Sequence, residues 1–249
     1  MSRRVVVHPN QDILAAATAA RVVTKLIDLQ SEAVPVHWVL TGGTVGIGTL
    51  AEMAKLPAVA AVDWSGVHIW WGDERFVPAG DGERNEVQAR EALLDFLITE
   101  HGLPQAHIHP MAAPGSPGVE TAEEAAAAYC AELAEFAQAG ALVPEFDLLM
   151  LGMGPDIHVA SLFPGHAGLN VVGVAATGVH DSPKPPPTRV SLTFEAINTA
   201  QRIWIVAGGA EKADAVQAVL EGKPVAEAPA AGVAGTKETL LLLDAASAS

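Results

Sequence analysis

The chain has 249 residues, half of them apolar and 17% charged, which fits one large α/β domain over residues 1–249 and excludes an intrinsically disordered chain. Asp and Glu number 29 against 14 Lys and Arg, a formal net charge of −15. That sign argues against binding nucleic acid or an anionic membrane, both of which need a basic surface. Short β-branched runs alternate with longer Ala-rich periodic segments. Arg4–His8 reads as a strand. Asn10 is placed to cap a helix reaching about Gln30, with Ile13, Ala16, Ala20, Val23 and Ile27 along one face. Val36–Leu40 reads as a strand covered on both faces. Gly42-Gly43-Thr44 then turns into a helix over about Val45–Leu56. Val67–Trp71 is a third strand, with Trp70 and Trp71 in the core, and it ends in Gly72-Asp73-Glu74-Arg75. A helix is predicted from Asn85 to about Glu100, a Pro- and Gly-rich loop over Gly102–Gly118, and an Ala-rich, acidic helix over Val119–Ala139.

The alternation continues in the second half. Phe146–Leu151 is a strand, followed by the Gly152-Met153-Gly154-Pro155 turn and a short helix carrying His158. Val171–Ala175 reads as a strand, Ser182–Pro187 as a turn stiffened by proline, and Arg189–Thr193 and Arg202–Ala207 as strands. Gly208–Leu220 is turn plus helix, and Thr239–Leu243 the last strand. Strands separated by helices mean βαβ units and a mostly parallel sheet, whose ligands bind at the carboxyl ends of the strands. The single Cys130 excludes an internal disulfide and a Cys-based zinc site. No apolar run reaches transmembrane length, and the first twelve residues lack the apolar stretch of a signal peptide. A cytoplasmic protein is expected.

Chemistry is sought at the strand ends. Gly42, Gly43 and Thr44 let backbone approach a ligand and lead into a helix N-terminus, which suits a phosphate as well as a plain tight turn. A G-x-G-x-x-A pattern at Gly46, Gly48 and Ala51 falls inside that helix and is not a dinucleotide fingerprint. Arg75 can grip a phosphate or carboxylate with two parallel bonds, while Asp73 and Glu74 serve as acid/base groups or orient it. His158 is expected near a helix N-terminus, where the dipole favours neutral imidazole and the charge of Asp156 opposes that effect. Ser161 lies outside any nucleophile-elbow pattern. Lys184, Arg189 and Lys212 add positive charge near strand and helix ends, Lys212 after the Gly208-Gly209 turn. His107 and His109 would share a strand face, but a metal site needs a third ligand.

LTGGT (40–44), WWGDERFVP (70–78), ERN (83–85), LGMGPDIHVASLFPG (151–165), SPKPPPTRVSLTFEAIN (182–198), GGAEKADAV (208–216) and ETLLLLD (238–244) together resemble the 6-phosphogluconolactonase family, in that family's order and over almost the whole chain. The SPKPPP stretch and Ala-rich helices are similar to actinobacterial members. The resemblance implies a doubly wound, mostly parallel α/β sheet flanked by helices, like that of sugar-phosphate isomerases. It implies hydrolysis of 6-phospho-D-glucono-1,5-lactone, no metal or organic cofactor, and a monomer or weak homodimer. By the same resemblance His158 is the catalytic histidine and Arg75 an active-site arginine. Gly42, Gly43 and Thr44 form the phosphate-side loop, and Asp73, Arg189 and Lys212 face the substrate. Attack is expected from water rather than through an acyl-enzyme. The family usually has Gly just before the histidine. Ile157 stands there in this chain, which means either strained left-handed backbone or added bulk beside the lactone. A glucosamine-6-phosphate deaminase/isomerase would carry Asn-Glu-Pro after its histidine, where this chain reads VASLFP (159–164). A sugar-phosphate sensor would have lost the base.

Overall fold

A computed structural model describes residues 3–249. Six strands form a parallel sheet in the order β1, β9, β8, β5, β2, β3: β1 Arg4–His8, β2 Val36–Leu40, β3 Val67–Trp71, β5 Leu148–Gly152, β8 Arg202–Ala207 and β9 Glu238–Asp244. Alternation along the strands feeds two cores. Trp38, Leu40, Ile69 and Trp71 pack on the face covered by helices α1 (Gln11–Glu32) and α2 (Gly43–Met53). Val39 and Trp70 point to the other face, against Tyr129 and Leu133 of helix α5 (Ala122–Phe136) and Val216 and Val219 of helix α7 (Ala213–Glu221). β2, β3, β5, β8 and β9 are therefore buried on both faces, which is why they are apolar almost throughout, whereas Val5 and Val7 of β1 are exposed. Among the described residues no helix is long and apolar enough to cross a membrane.

Local chemistry fixes the helix ends. The Asn10 side chain accepts from the Ile13 N–H and starts α1, and Thr121 and Glu124 form a capping box at α5. Helix α5 consequently starts at Ala122 and stops at Phe136, inside the range 119–139 expected for it. Helix α2 starts two residues before the expected Val45, so Gly43 is its first residue. The stretch 85–101 is helical throughout, as α3 (Asn85–Ala89), a wider π turn (Arg90–Leu94) and α4 (Asp95–His101).

Four expectations are corrected. The face α1 buries is Leu14, Ala15, Ala19, Val22, Val23, Leu26 and Leu29; Ile13 is exposed, because the 3/4-spaced row through Ile13 and Ile27 runs along the edge of a wider apolar stripe. The GDER segment does not simply end β3. The Gly72 N–H donates to the Leu40 carbonyl, its own carbonyl accepts from Leu192, and the chain crosses into a separate antiparallel sheet. That sheet has the order β4 (Asp73–Arg75), β7 (Arg189–Leu192), β6 (Ala176–Val179). The strand expected at Val171–Ala175 is displaced to Ala176–Val179. Gly173, at φ +78°, breaks the extended run, Val172 and Val174 face solvent, and β7 pairs only with the later residues. His158 lies on no helix. Pro155 precedes it, and Ile157 (φ +66°) and Ala160 (φ +48°) are left-handed, which no continuing α-helix allows.

Candidate active site

The carboxyl ends of β2 and β5, neighbours at the middle of the sheet, open onto one cleft, the position where ligands bind in sheets of this kind. The Gly152 N–H donates to Thr41 Oγ1 at 2.9 Å and ties the two strand ends together. Gly42 caps α2 but offers no side-chain cap, so the first-turn N–H groups of α2 stand without one where Gly43 and Thr44 line the cleft. Gly43 has φ +80°, a conformation glycine adopts without strain.

Four cations line the same cleft: Arg75, Lys184, Arg189 and Lys212. In a chain of net charge −15 this concentration of positive charge makes a local anion site. Arg75 donates through Nη1 to the Glu83 carbonyl, and its buried Nε has no partner among the described residues. Burial and the neighbouring charge of Lys184 lower the pKa of Lys212, against the pull of Glu211 and Asp156. Arg189 is more committed. Its Nε donates to the Pro186 carbonyl at 3.1 Å and its Nη2 to the Lys184 carbonyl at 3.0 Å, which pins the proline-rich loop that carries Lys184.

The acidic pair after β3 is not an exposed acid/base pair. Asp73 Oδ2 accepts from Ser161 Oγ at 2.7 Å and lies 3.9 Å from Arg189 Nη1, so it orients Ser161 and Arg189 rather than Arg75. Glu74 is buried and accepts from the backbone N–H groups of Arg75, Asn85 and Glu86 at 2.7–2.9 Å, with Arg84 at 3.7 Å. It is a structural clamp on the 83–86 turn. Asn85, buried at the cleft wall, donates from Nδ2 to the Asp73 carbonyl at 2.8 Å.

His158 reaches the cleft from the irregular segment after β5. Its Nδ1 lies 2.5 Å from Asp156 Oδ1, and its ring packs on Phe163 at 4.5 Å. Burial raises the pKa of Asp156, but the hydrogen bond and charge of His158, with Lys184 at 3.5 Å, outweigh it and hold the carboxyl well below the usual range. An ionised Asp156 keeps the proton on Nδ1 and leaves Nε2 as the acceptor. Gly154 makes room for this pair, since a Cβ there would collide with the imidazole. Of the two readings of Ile157, the backbone one describes this chain. It has φ +66°, its carbonyl accepts from the Ala230 N–H at 3.1 Å, and its side chain packs on the core and does not line the cleft.

The expected residues Gly42, Gly43, Thr44, Asp73, Arg75, His158, Arg189 and Lys212 all line this one cleft. Two contributors were not assigned a site role in the sequence: Asp156 as the partner of Nδ1, and Asn85. The D-x-H spacing was the available signal for the first, whereas nothing local to the ERN segment signals the second. His107 and His109 lie elsewhere. His109 bridges His68 (2.9 Å) and Glu132 (2.6 Å), and among the described residues no group of three or more His, Cys, Asp or Glu is placed to hold a metal ion.

Residues 9–242 match the family described as glucosamine-6-phosphate isomerases/6-phosphogluconolactonase. The chain is 49% identical over 99% of its length to a 6-phosphogluconolactonase of Streptomyces coelicolor, covering 94% of that protein. It is 40% identical over 98% of its length to one of Mycobacterium tuberculosis, covering 96% of it. A solved structure of 6-phosphogluconolactonase from Trypanosoma brucei aligns with a TM-score of 0.82 at 29% identity, over 99% of this chain and 98% of the other.

Proposed function

Since the chain belongs to the glucosamine-6-phosphate isomerase/6-phosphogluconolactonase family, we propose that the cleft at the strand ends is where it hydrolyses 6-phospho-D-glucono-1,5-lactone to 6-phospho-D-gluconate, with His158 as the base. The reaction is cleavage of a cyclic ester and a step of the oxidative pentose phosphate pathway. The observation that carries the assignment of the base is the 2.5 Å contact between Asp156 and His158 Nδ1, which leaves Nε2 free to accept a proton.

Nε2 takes a proton from water as its oxygen bonds to the lactone carbonyl carbon. The carbonyl oxygen becomes an oxyanion, and the Arg75 guanidinium, whose Nε has no other partner among the described residues, offsets that charge. The tetrahedral intermediate collapses, the bond from C1 to the ring oxygen breaks, and the imidazolium returns its proton to that oxygen. The new carboxylic acid then ionises. Lys184, Lys212 and the first-turn N–H groups of α2 hold the 6-phosphate. Anchoring the phosphate sets the carbonyl in front of the attacking water. Asp73 and Arg189 keep the wall in shape. Ser161 is buried, its Oγ donates to Asp73 and it does not line the cleft, so it is not placed to attack the lactone and forms no acyl-enzyme. Every step uses groups of this chain. A single domain over residues 1–249, a monomer or weak homodimer, and a cytoplasmic location are parts of the same proposal.

The test is a coupled assay in which the lactone is made in situ by glucose-6-phosphate dehydrogenase and 6-phosphogluconate is read through its own dehydrogenase. Acceleration over spontaneous hydrolysis by the wild type, lost in His158→Ala, is the expected result. A folded wild type without acceleration would favour a binding-only sugar-phosphate sensor.

A further inference from the structure

We propose that Phe163 is a positioning residue for the reaction, whose aromatic ring supports the positive charge that His158 acquires while it holds the proton taken from water. The inference rests on the lactonase reading of the cleft and adds to it a residue that the substrate does not touch. Phe163 is fully buried, yet it belongs to neither of the two apolar cores and does not line the cleft. The His158 ring lies 4.5 Å from it, centroid to centroid, tilted by 42°. The guanidinium carbon of Arg189 stands over the same ring, 5.8 Å from its centroid, and the His166 ring packs at 5.6 Å. One buried ring thus meets the proposed base, a permanent cation of the cleft and a second histidine.

The face of a phenyl ring is electron-rich and attracts a cation within about 6 Å of its centroid, more strongly where water is excluded. Neutral imidazole gains little from it. Imidazolium gains more, and in the proposed mechanism His158 is imidazolium only between proton uptake from water and proton return to the ring oxygen. The interaction is therefore stronger in the transition state than with substrate merely bound, which is the kind that raises kcat and leaves KM alone. Asp156 holds Nδ1 while Phe163 packs on the ring, so the imidazole is fixed at two places with Nε2 left to meet water. The carbonyls of Lys184 and Pro186 hold Arg189 in place, so the ring also offsets a charge that cannot swing away.

The experiment replaces Phe163, at that position alone, by phenylalanines carrying one, three and five ring fluorines, and adds Phe163→Leu. Fluorine draws electron density from the ring face while nearly keeping its shape, so a ring that only fills space should give the same enzyme throughout. The expected result in the coupled lactone assay is a stepwise fall in kcat, ending about tenfold below wild type with five fluorines. KM for the lactone and the calorimetric Kd of 6-phosphogluconate should stay within a factor of two. Phe163→Leu, apolar but without a π face, should match the pentafluoro protein. If the leucine variant does not fold, the fluorinated series decides. A kcat that is flat across that series, or a loss carried by KM instead of kcat, overturns the proposal and leaves the lactonase reading standing. A folded wild type that does not accelerate lactone hydrolysis overturns that reading and the proposal with it, so the two failures are told apart.

Discussion

Asp156 Oδ1 lies 2.5 Å from His158 Nδ1, and this contact sets which imidazole nitrogen can accept a proton. A carboxylate can only accept, so Nδ1 must carry the hydrogen. An Asn in its place can donate to Nδ1 and stabilise the other tautomer, with the hydrogen on Nε2. Asp156→Asn is therefore expected to lower kcat by about 10²–10⁴-fold with a much smaller change in KM. Steady-state kinetics of the folded variant checks this, and a kcat within a factor of three of wild type would remove Asp156 from the mechanism.

The left-handed backbone of Ile157 gives an unusual order of stabilities. Away from such positions Ala is more stable than Gly by roughly 0.5–1 kcal/mol. At φ +66° the Cβ is strained, which costs about 1 kcal/mol or more. Ile157→Gly and Ile157→Ala both discard the Ile side chain, so comparing them isolates the backbone. The Gly variant should match or exceed the Ala variant, with a difference up to about 1 kcal/mol, or a Tm higher by up to about 2–4 °C. Since Ile157 does not line the cleft, KM should be unchanged in both. An Ala variant more stable by the usual margin would show that the left-handed conformation does not hold in solution.

Ser161→Ala separates water attack from acyl-enzyme chemistry. Ser161 Oγ donates to Asp73 at 2.7 Å, and its backbone N–H donates to Ser191 Oγ at 3.2 Å, so the hydroxyl is buried behind Asp73 and does not line the cleft. Its loss leaves Asp73 short of one donor and should reduce kcat less than tenfold. A nucleophile would lose on the order of 10³-fold or more. Single-turnover kinetics of the variant distinguishes the two.

The stacked histidines at the other end of the sheet make stability sensitive to acid. Burial, then the charge of His109, pushes the pKa of His37 down to about 4. Burial, then the charges of His107, His37 and His109, pushes that of His68 down to about 3. Glu132 faces His109 at 2.6 Å, and Asp147 accepts from the His37 backbone N–H at 2.9 Å. Both folded-state values lie below the unfolded value of 6.5, so the unfolded chain binds more protons. Their contribution to stability is complete above about pH 6.5 and is lost as pH falls through about 4 and about 3. Each histidine adds up to about 1.4 kcal/mol per pH unit to the slope in that window. Urea unfolding between pH 7.5 and 4.5 should show the fall, and His68→Gln should remove about one proton's worth of the slope. A slope identical in the two proteins would contradict this account.

The order of strands and helices was legible in the sequence because each strand is a short apolar or β-branched run bounded by turn residues, and β2 and β3 are buried on both faces. Arg4–His8, Val36–Leu40, Val67–Trp71 and Arg202–Ala207 fall where they were expected. That Gly42, Gly43, Thr44, Asp73, Arg75 and Lys212 would fall on one side was legible because they follow the carboxyl ends of strands in one parallel sheet, whereas Arg189 opens β7 of the antiparallel sheet. What the sequence could not contain is pairing between distant residues. The 88-residue reach from Asp73 to Ser161, the fit of Asn85 against Gly42, and the crossing of the chain at Gly72 into an antiparallel sheet have no local signal. Nor could periodicity decide which apolar row of α1 faces inward, since the sheet against which it packs does so. The turn at 154–160 shows the division most plainly. His158 and Asp156 stand two residues apart in the sequence, yet whether they meet depends on left-handed backbone at Ile157, and the carbonyl of that residue is bonded to Ala230 from the far end of the chain.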